Sequence, residues 1–134
     1  MKKIRKILVA EDNKMIALAL KLLFEARGYE VVVANDGQEA LDKFERVKQE
    51  LDFVIVDYHM PHFSGAEVAS RIRAAIPKIP IVLASSDATR LRRKVNIRGL
   101  FDAVFDKPFM MKEVLSYLEG FEGSSMHVTE CEVA

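Results

Sequence analysis

The sequence predicts an α/β fold in which helices cover both faces of one parallel sheet. Five short runs rich in apolar residues recur along the 134 residues, and segments with helical spacing separate them. Strands that alternate with helices pair in parallel through right-handed crossovers, and these crossovers place helices on both faces of the sheet. One domain of ordinary size accommodates all of these elements.

The strands are predicted where short apolar runs rich in Ile and Val are typical of fully buried segments. These runs lie at residues 7–10, 31–34, 53–56, 81–84 and 103–105. No apolar stretch approaches the roughly 20 residues that a membrane-spanning helix needs. We therefore expect no membrane insertion.

The first helix is predicted after the first strand and ends at Gly28, a typical residue beyond a helix C-terminus. Its spacing predicts one apolar stripe facing the core. The stripe consists of Met15, Leu18, Ala19, Leu22, Leu23 and Ala26.

Four further helices follow the remaining strands. A turn at residues 35–37 precedes the second helix, Pro77 follows the third, and the fourth spans approximately residues 89–98. The apolar anchors are Ala40, Phe44 and Val47, then Ala69, Ile72 and Ile76, then Leu91 and Val95, and finally Val114, Leu115 and Leu118. Helical periodicity ends near residue 120, which predicts one domain over residues 1–121 and a flexible tail over 122–134.

Composition excludes several classes of function. Twenty basic and twenty acidic residues cancel, so no global field draws the chain to nucleic acid or to an anionic membrane. The single cysteine, Cys131, has no intramolecular partner, which favours a reducing compartment. We therefore expect a cytoplasmic protein.

Charged and hydroxyl side chains follow four of the predicted strands, and ligands of such sheets bind beyond these strand ends. The residues are Glu11 and Asp12, then Asp57, then Ser85 and Ser86, and finally Asp106 and Lys107. Crowded carboxylates repel each other unless a cation neutralises them, and hard oxygen ligands suit Mg²⁺. An alternative is that Asp12 only caps the first helix.

This set of residue types contains the parts that phosphoryl transfer needs. Asp57 could attack phosphorus as a nucleophile while a metal ion and a nearby cation spread the developing charge. Lys107 would contact one phosphate oxygen and the Ser85 hydroxyl would donate a hydrogen bond to another. The expected chemistry is therefore formation of an aspartyl phosphate.

Four sequence motifs, in this order, resemble the receiver domain of two-component response regulators over about residues 5–121. They are ILVAEDN, VIVDYHMP followed by FSG, IVLASSD and FDKPF. The resemblance implies a flavodoxin-like (βα)5 three-layer sandwich with strand order 2-1-3-4-5. It also implies a sensor histidine kinase or a phosphotransfer protein as the phosphoryl donor.

The resemblance assigns roles position by position. Asp57 would be the phosphoacceptor, Ser85 the switch hydroxyl and Lys107 the phosphate-binding lysine. The implied ligands of Mg²⁺ or Mn²⁺ are Glu11, Asp12, Asp57 and the backbone carbonyl of His59.

The sequence departs from the family pattern at Val104, where an aromatic residue usually moves together with the switch hydroxyl. Phe101 could substitute for that residue from the preceding loop. Three positions are expected to modulate the lifetime of the phosphoryl group: His59, Ser86 and Asp87. We hypothesise that His59 and Asp87 form an ion pair that screens the phosphoryl group from water, although both could simply face solvent.

These features support a receiver domain that changes partner binding and turns over no external metabolite. The alternatives are a receiver-like interaction domain that is never phosphorylated and a Mg²⁺-dependent phosphohydrolase. The latter usually has a second Asp where this chain has His59. Basic residues of the fourth helix favour a solvated face or a downstream protein partner bound by the fourth helix, fifth strand and fifth helix. Nucleic acid is disfavoured, and a homodimer on phosphorylation is possible.

Overall fold

A parallel sheet of five strands forms the centre of the protein. The computed structural model describes residues 3–86, 90, 99–107 and 110–123. The strands are β1 (Lys6–Ala10), β2 (Glu30–Ala34), β3 (Phe53–Asp57), β4 (Ile81–Ser85) and β5 (Ala103–Asp106). They lie in the order β2-β1-β3-β4-β5, and every neighbouring pair is parallel. The five predicted strands and the strand order are therefore confirmed.

Four helices are described, three of them between successive strands and one after β5. They are α1 (Lys14–Glu25), α2 (Gly37–Val47), α3 (Gly65–Ala75) and a C-terminal helix (Met110–Gly123). Apart from Arg90, the fourth predicted helix, near residues 89–98, lies outside the described residues, as does the end of the predicted tail, residues 124–134. Among the described helices, none is long and apolar enough to cross a membrane.

Alternate residues of the strands face opposite layers of helices. One hydrophobic cluster joins Ile7, Val9, Phe53 and Ile55 to Leu20 and Phe24 of α1 and to Val114 and Leu118 of the C-terminal helix. The other joins Leu8, Ala10, Val54 and Val56 to Ala40 and Phe44 of α2 and to Val68 and Ile72 of α3. The period of two along each strand thus produces the three-layer sandwich.

The buried face of α1 differs from the predicted one. The helix itself is confirmed, but Met15, Leu18 and Leu22 of the predicted stripe are 76%, 50% and 58% exposed. Ala26 is also exposed, whereas Ala19 and Leu23 are half-buried. The core-facing residues are instead Ala17, Leu20 and Phe24. Apolar residues surround most of this helix, so spacing alone could not select the face, and the face that carries the large Phe24 ring packs on the sheet.

Candidate functional site

Three carboxylates meet at the carboxyl ends of two neighbouring strands. Glu11 and Asp12 directly follow β1, and Asp57 is the last residue of β3. One carboxylate oxygen from each lies within 4.8 Å of the others. We call these three residues the acidic site. The strand order therefore brings together the carboxylates that the sequence predicts to converge.

Lys107 lies against the acidic site and is shared between two of its carboxylates. Its Nζ is 2.6 Å from Glu11 Oε1 and 3.3 Å from Asp57 Oδ2. The Lys107 backbone N–H donates to the carbonyl oxygen of Ser85 at 3.1 Å, which fixes the residue just beyond β5 against the end of β4. The side chain of Lys107 is largely buried, so its charge acts where water screens little.

Asp57 lies in an environment that disfavours its charged form. Burial of the side chain, followed by the negative charge of Glu11, raises the pKa of Asp57 to about 7. The positive charge of Lys107 opposes this shift and does not cancel it. Three carboxylates beside one lysine leave the acidic site with excess formal negative charge, which favours binding of a cation.

The loop after β3 packs tightly against the backbone of Asp57 because residue 65 has no side chain. A Cβ atom at Gly65 would lie 2.4 Å from the Asp57 carbonyl oxygen. The Gly65 N–H donates to the Tyr58 carbonyl oxygen at 2.8 Å. Ser64 and Glu67 form a capping box that starts α3 at this point. Glycine at position 65 is therefore required by close approach of backbone.

The alternative role of Asp12 as the cap of the first helix is wrong. The N-cap of α1 is Asn13, whose Oδ1 accepts the N–H groups of Met15 and Ile16 at 3.0 and 3.1 Å. Asn13 also donates its own N–H to Glu11 Oε2 at 3.0 Å. The Asp12 side chain is exposed and belongs to the acidic site rather than to the helix cap.

The predicted switch hydroxyl lies on the strand next to the acidic site. Ser85 is fully buried at the end of β4, where it pairs with Asp106 of β5. On the strand beside it, Asp57 pairs with Ala84. Ser86 is exposed in the following turn. Ser85 and Asp57 thus end adjacent strands, as the sequence predicts.

The predicted modulating positions are only partly within the described residues. The His59 side chain is exposed, and its ring packs edge-on against the neighbouring Tyr58 ring with centroids 4.9 Å apart. Asp87 lies outside the described residues, so its hypothesised ion pair with His59 stays a prediction.

Val104 lies in a small cluster around the fully buried Leu83. The other partly buried members are Tyr58, Ala66 and Phe101. Val104 and Leu83 are register partners on β5 and β4. The structure therefore places Phe101 in the same cluster as Val104, which stands where the family usually has the aromatic residue.

Sequence reasoning missed Asn35 and Glu39, two residues that contact the acidic site or support it. The Asn35 side-chain amide donates to the Glu11 carbonyl oxygen at 3.1 Å, and its backbone N–H donates to Glu39 Oε1 at 2.6 Å. Glu three residues after the cap Asp36 is a typical signal of a helix start. That signal predicts the cap but gives no sign of the contact with Glu11.

The donor atoms of the acidic site fit a hard divalent cation. Three carboxylates supply oxygen ligands, which Mg²⁺ and Mn²⁺ prefer, and the excess negative charge favours cation binding. Among the described residues, this is the cluster of His, Cys, Asp and Glu side chains with metal-binding spacing. The predicted magnesium site is thus consistent with the chemistry of the residues present.

Comparison with known proteins agrees with this fold. Residues 7–119 match the sequence profile of the response regulator receiver domain. The chain therefore belongs to the response regulator receiver domain family.

Two curated relatives illustrate how the domain occurs in longer proteins. The chain is 32% identical over 110 residues to the alkaline phosphatase synthesis transcriptional regulatory protein PhoP of Bacillus subtilis, covering 82% of this chain and 45% of that protein. It is 34% identical over 131 residues to the peroxide stress-activated histidine kinase mak3 of Schizosaccharomyces pombe, covering 90% of this chain and 6% of that protein. The chain thus spans half or less of the length of these relatives.

Two solved structures share the fold. The response regulator TrrA of Thermotoga maritima, in complex with Mg²⁺ and BeF, superposes with a TM-score of 0.74 at 33% identity, covering 86% of this chain and 99% of that chain. A CheY-like receiver domain protein of Methanospirillum hungatei superposes with a TM-score of 0.78 at 23% identity, covering 97% of this chain and 98% of that one. The flavodoxin-like receiver fold implied by the resemblance is confirmed.

Proposed function

We propose that Asp57 accepts a phosphoryl group and that Glu11, Asp12, Ser85 and Lys107 assist the transfer. The observation that carries the proposal is the convergence of three carboxylates and one largely buried lysine at the carboxyl edge of the sheet. Asp57 lies centrally in this arrangement, within reach of Lys107, and ends the strand beside Ser85.

The transfer balances as a displacement at phosphorus. An Asp57 carboxylate oxygen attacks the phosphorus of a phosphohistidine, and the new O–P bond forms as the P–N bond breaks. The imidazole leaves with the bonding electron pair and is neutral when its other ring nitrogen carries a proton. The Lys107 Nζ can contact one oxygen of the incoming phosphoryl group, and the Ser85 hydroxyl can donate a hydrogen bond to a second oxygen of that group.

A divalent cation would complete the acidic site. Glu11, Asp12 and Asp57, with the backbone carbonyl of His59, would hold Mg²⁺ or Mn²⁺. When bound, the ion would neutralise charge on the phosphoryl oxygens and lower the repulsion among the carboxylates. The residues themselves orient the attacking oxygen and keep the site largely desolvated.

We propose that the donor is a sensor histidine kinase or a phosphotransfer protein and that the chain works in the cytoplasm. Attack of water on the aspartyl phosphate would release inorganic phosphate and restore the Asp57 carboxylate. Because the phosphoryl group comes from a protein donor, the chain would turn over no external metabolite. The output would be a change in binding to a downstream protein, through the fourth predicted helix, β5 and the C-terminal helix, or in self-association. We also propose a receiver domain over residues 1–121 and a tail over 122–134, whose first two residues still belong to the C-terminal helix.

Intact mass spectrometry after incubation with Mg²⁺ and a small phosphodonor tests the proposal. We expect the wild type to gain the mass of one phosphoryl group and Asp57→Asn to gain none. Asp42→Asn, which removes an exposed carboxylate on α2, is the matched control and should behave as the wild type. Absence of any adduct on the wild type, with small donors and with a cognate kinase, would favour an interaction domain that is never phosphorylated.

A further inference from the structure

The backbone of Glu11 is held by the segment that joins β2 to α2. The Glu11 N–H donates to the Ala34 carbonyl oxygen at 2.9 Å. The Asn35 side-chain amide donates to the Glu11 carbonyl oxygen at 3.1 Å. That carbonyl belongs to the peptide group joining Glu11 to Asp12, so Asn35 fixes the orientation of the unit that presents two of the three carboxylates.

Asn35 is itself held by the first turn of α2. Its N–H donates to Glu39 Oε1 at 2.6 Å, and Glu39 Oε2 lies 3.1 Å from Lys43 Nζ. The hydrogen bond from the Asn35 N–H is the largest of the effects that lower the pKa of Glu39. Glu39 is therefore a charged acceptor for Asn35 at neutral pH, and charge-assisted hydrogen bonds are stronger than neutral ones.

Capping of α2 accounts for only part of this arrangement. The N-cap of α2 is Asp36, whose Oδ1 accepts the Glu39 N–H at 2.7 Å. The Asn35 side chain contributes nothing to that cap, because its amide is directed to the carbonyl oxygen of Glu11 on another element. The contact spans 24 positions in the chain and ends on the acidic site.

We propose that Asn35, supported by Glu39, is a positioning residue for the acidic site and sets its affinity for a divalent cation. The inference rests on the proposed function, because it takes the acidic site to be the cation site. Asn35 acts through the Glu11–Asp12 peptide group and contacts neither cation nor phosphoryl group. Without its hydrogen bond, that peptide group can rotate, and part of the cation's binding energy is spent on ordering it.

Asn35→Ala removes the donor and should weaken Mg²⁺ binding about fivefold, the effect of one net hydrogen bond. The measurement is a MgCl₂ titration of the folded, unphosphorylated protein followed by backbone amide resonances. Gln38→Ala is the matched control, because it deletes a side-chain amide of the same kind. The described hydrogen bond of that amide is exposed and goes to Asp42 on α2, away from the acidic site. The Mg²⁺ affinity of Gln38→Ala should equal that of the wild type.

Two further measurements separate positioning from a general structural role. Glu39→Gln keeps an acceptor for Asn35 and should retain most of the Mg²⁺ affinity that Glu39→Ala loses. In the metal-free protein, the backbone amide resonance of Asp12 should change its chemical shift in Asn35→Ala and keep it in Gln38→Ala. The reason is that the Asp12 nitrogen belongs to the peptide group that Asn35 holds.

The outcomes distinguish this inference from the proposed function. A wild type that binds no Mg²⁺ at this edge of the sheet contradicts both. If the wild type binds Mg²⁺ and Asn35→Ala binds it equally well, with the Asp12 resonance unmoved, the positioning role is refuted and the proposed function stands. A loss of affinity in Asn35→Ala that equals the loss in Gln38→Ala also refutes it.

Discussion

Replacing Asp57 by Asn should stabilise the metal-free protein, and the gain should depend on pH. Asp57 is buried beside Glu11, and these two features raise its pKa to about 7. The unfolded chain binds a proton at this position with an ordinary aspartate pKa of about 4. Between these two values the folded state holds more protons than the unfolded state, so wild-type stability falls as the pH rises through this interval.

The size of the effect follows from the same interval. A pKa difference of about three corresponds to about 4 kcal/mol of lost stability once the pH exceeds the folded-state value. Asn carries no charge and avoids this penalty, but it also gives up the attraction between Asp57 and Lys107, 3.3 Å apart. We therefore expect Asp57→Asn to be more stable than the wild type by about 2 to 4 kcal/mol at pH 8.

Urea unfolding followed by circular dichroism, in the presence of a metal chelator, measures this difference. The gain should shrink toward zero near pH 4, where the wild-type carboxyl is protonated in the folded state and about half protonated in the unfolded state. Asp42→Asn, at an exposed position, should leave stability unchanged within about 0.5 kcal/mol. A gain that is the same at pH 5 and pH 8, or no gain at pH 8, would refute the electrostatic explanation.

Three further predictions concern other residues of the site and of the core. Gly65→Ala should cost about 2 to 4 kcal/mol in urea unfolding, because its Cβ would lie 2.4 Å from the Asp57 carbonyl oxygen. Leu20→Ala should lower the free energy of unfolding by about 2 to 5 kcal/mol, because Leu20 is 1% exposed. Leu22→Ala should lower it by less than about 1 kcal/mol, because Leu22 is 58% exposed. Equal losses of stability would contradict the packing of α1. Lys107→Met should destabilise the protein more at pH 8 than at pH 5, because it leaves buried carboxylates unpaired; unfolding midpoints that fall equally at both pH values would contradict this.

The fold could be predicted almost entirely because strands buried on both faces leave an unambiguous pattern in the chain. The runs at residues 53–56 and 81–84, for example, are continuous and apolar, and both became central strands. The face of α1 could not be predicted. Its twelve residues include apolar side chains at nearly every angle, and the choice between Leu20 and Leu22 depends on which residues the sheet presents opposite the helix.

The acidic site could be predicted in the same way, since its members follow strands whose order places them together. Asp57 and Lys107 need only the topology to become neighbours. The contact of Asn35 with the acidic site could not be predicted. It depends on a hydrogen bond between two loops, and the periodicity of the sequence does not indicate how close these loops lie. That Asn13 rather than Asp12 caps α1 could not be predicted either, since both side chains are suitable caps at adjacent positions.

The stability penalty at Asp57 and its proposed reactivity have the same physical origin. A carboxylate that is already removed from water needs to shed less hydration before it attacks, and the same burial raises its pKa. Lys107 is shared between Glu11 and Asp57, so its charge can move to an arriving phosphoryl group without a large movement of the side chain. A substitution that relieves the repulsion among these carboxylates should therefore stabilise the fold and weaken phosphoryl acceptance together, which is the usual relation between stability and activity at a strained site.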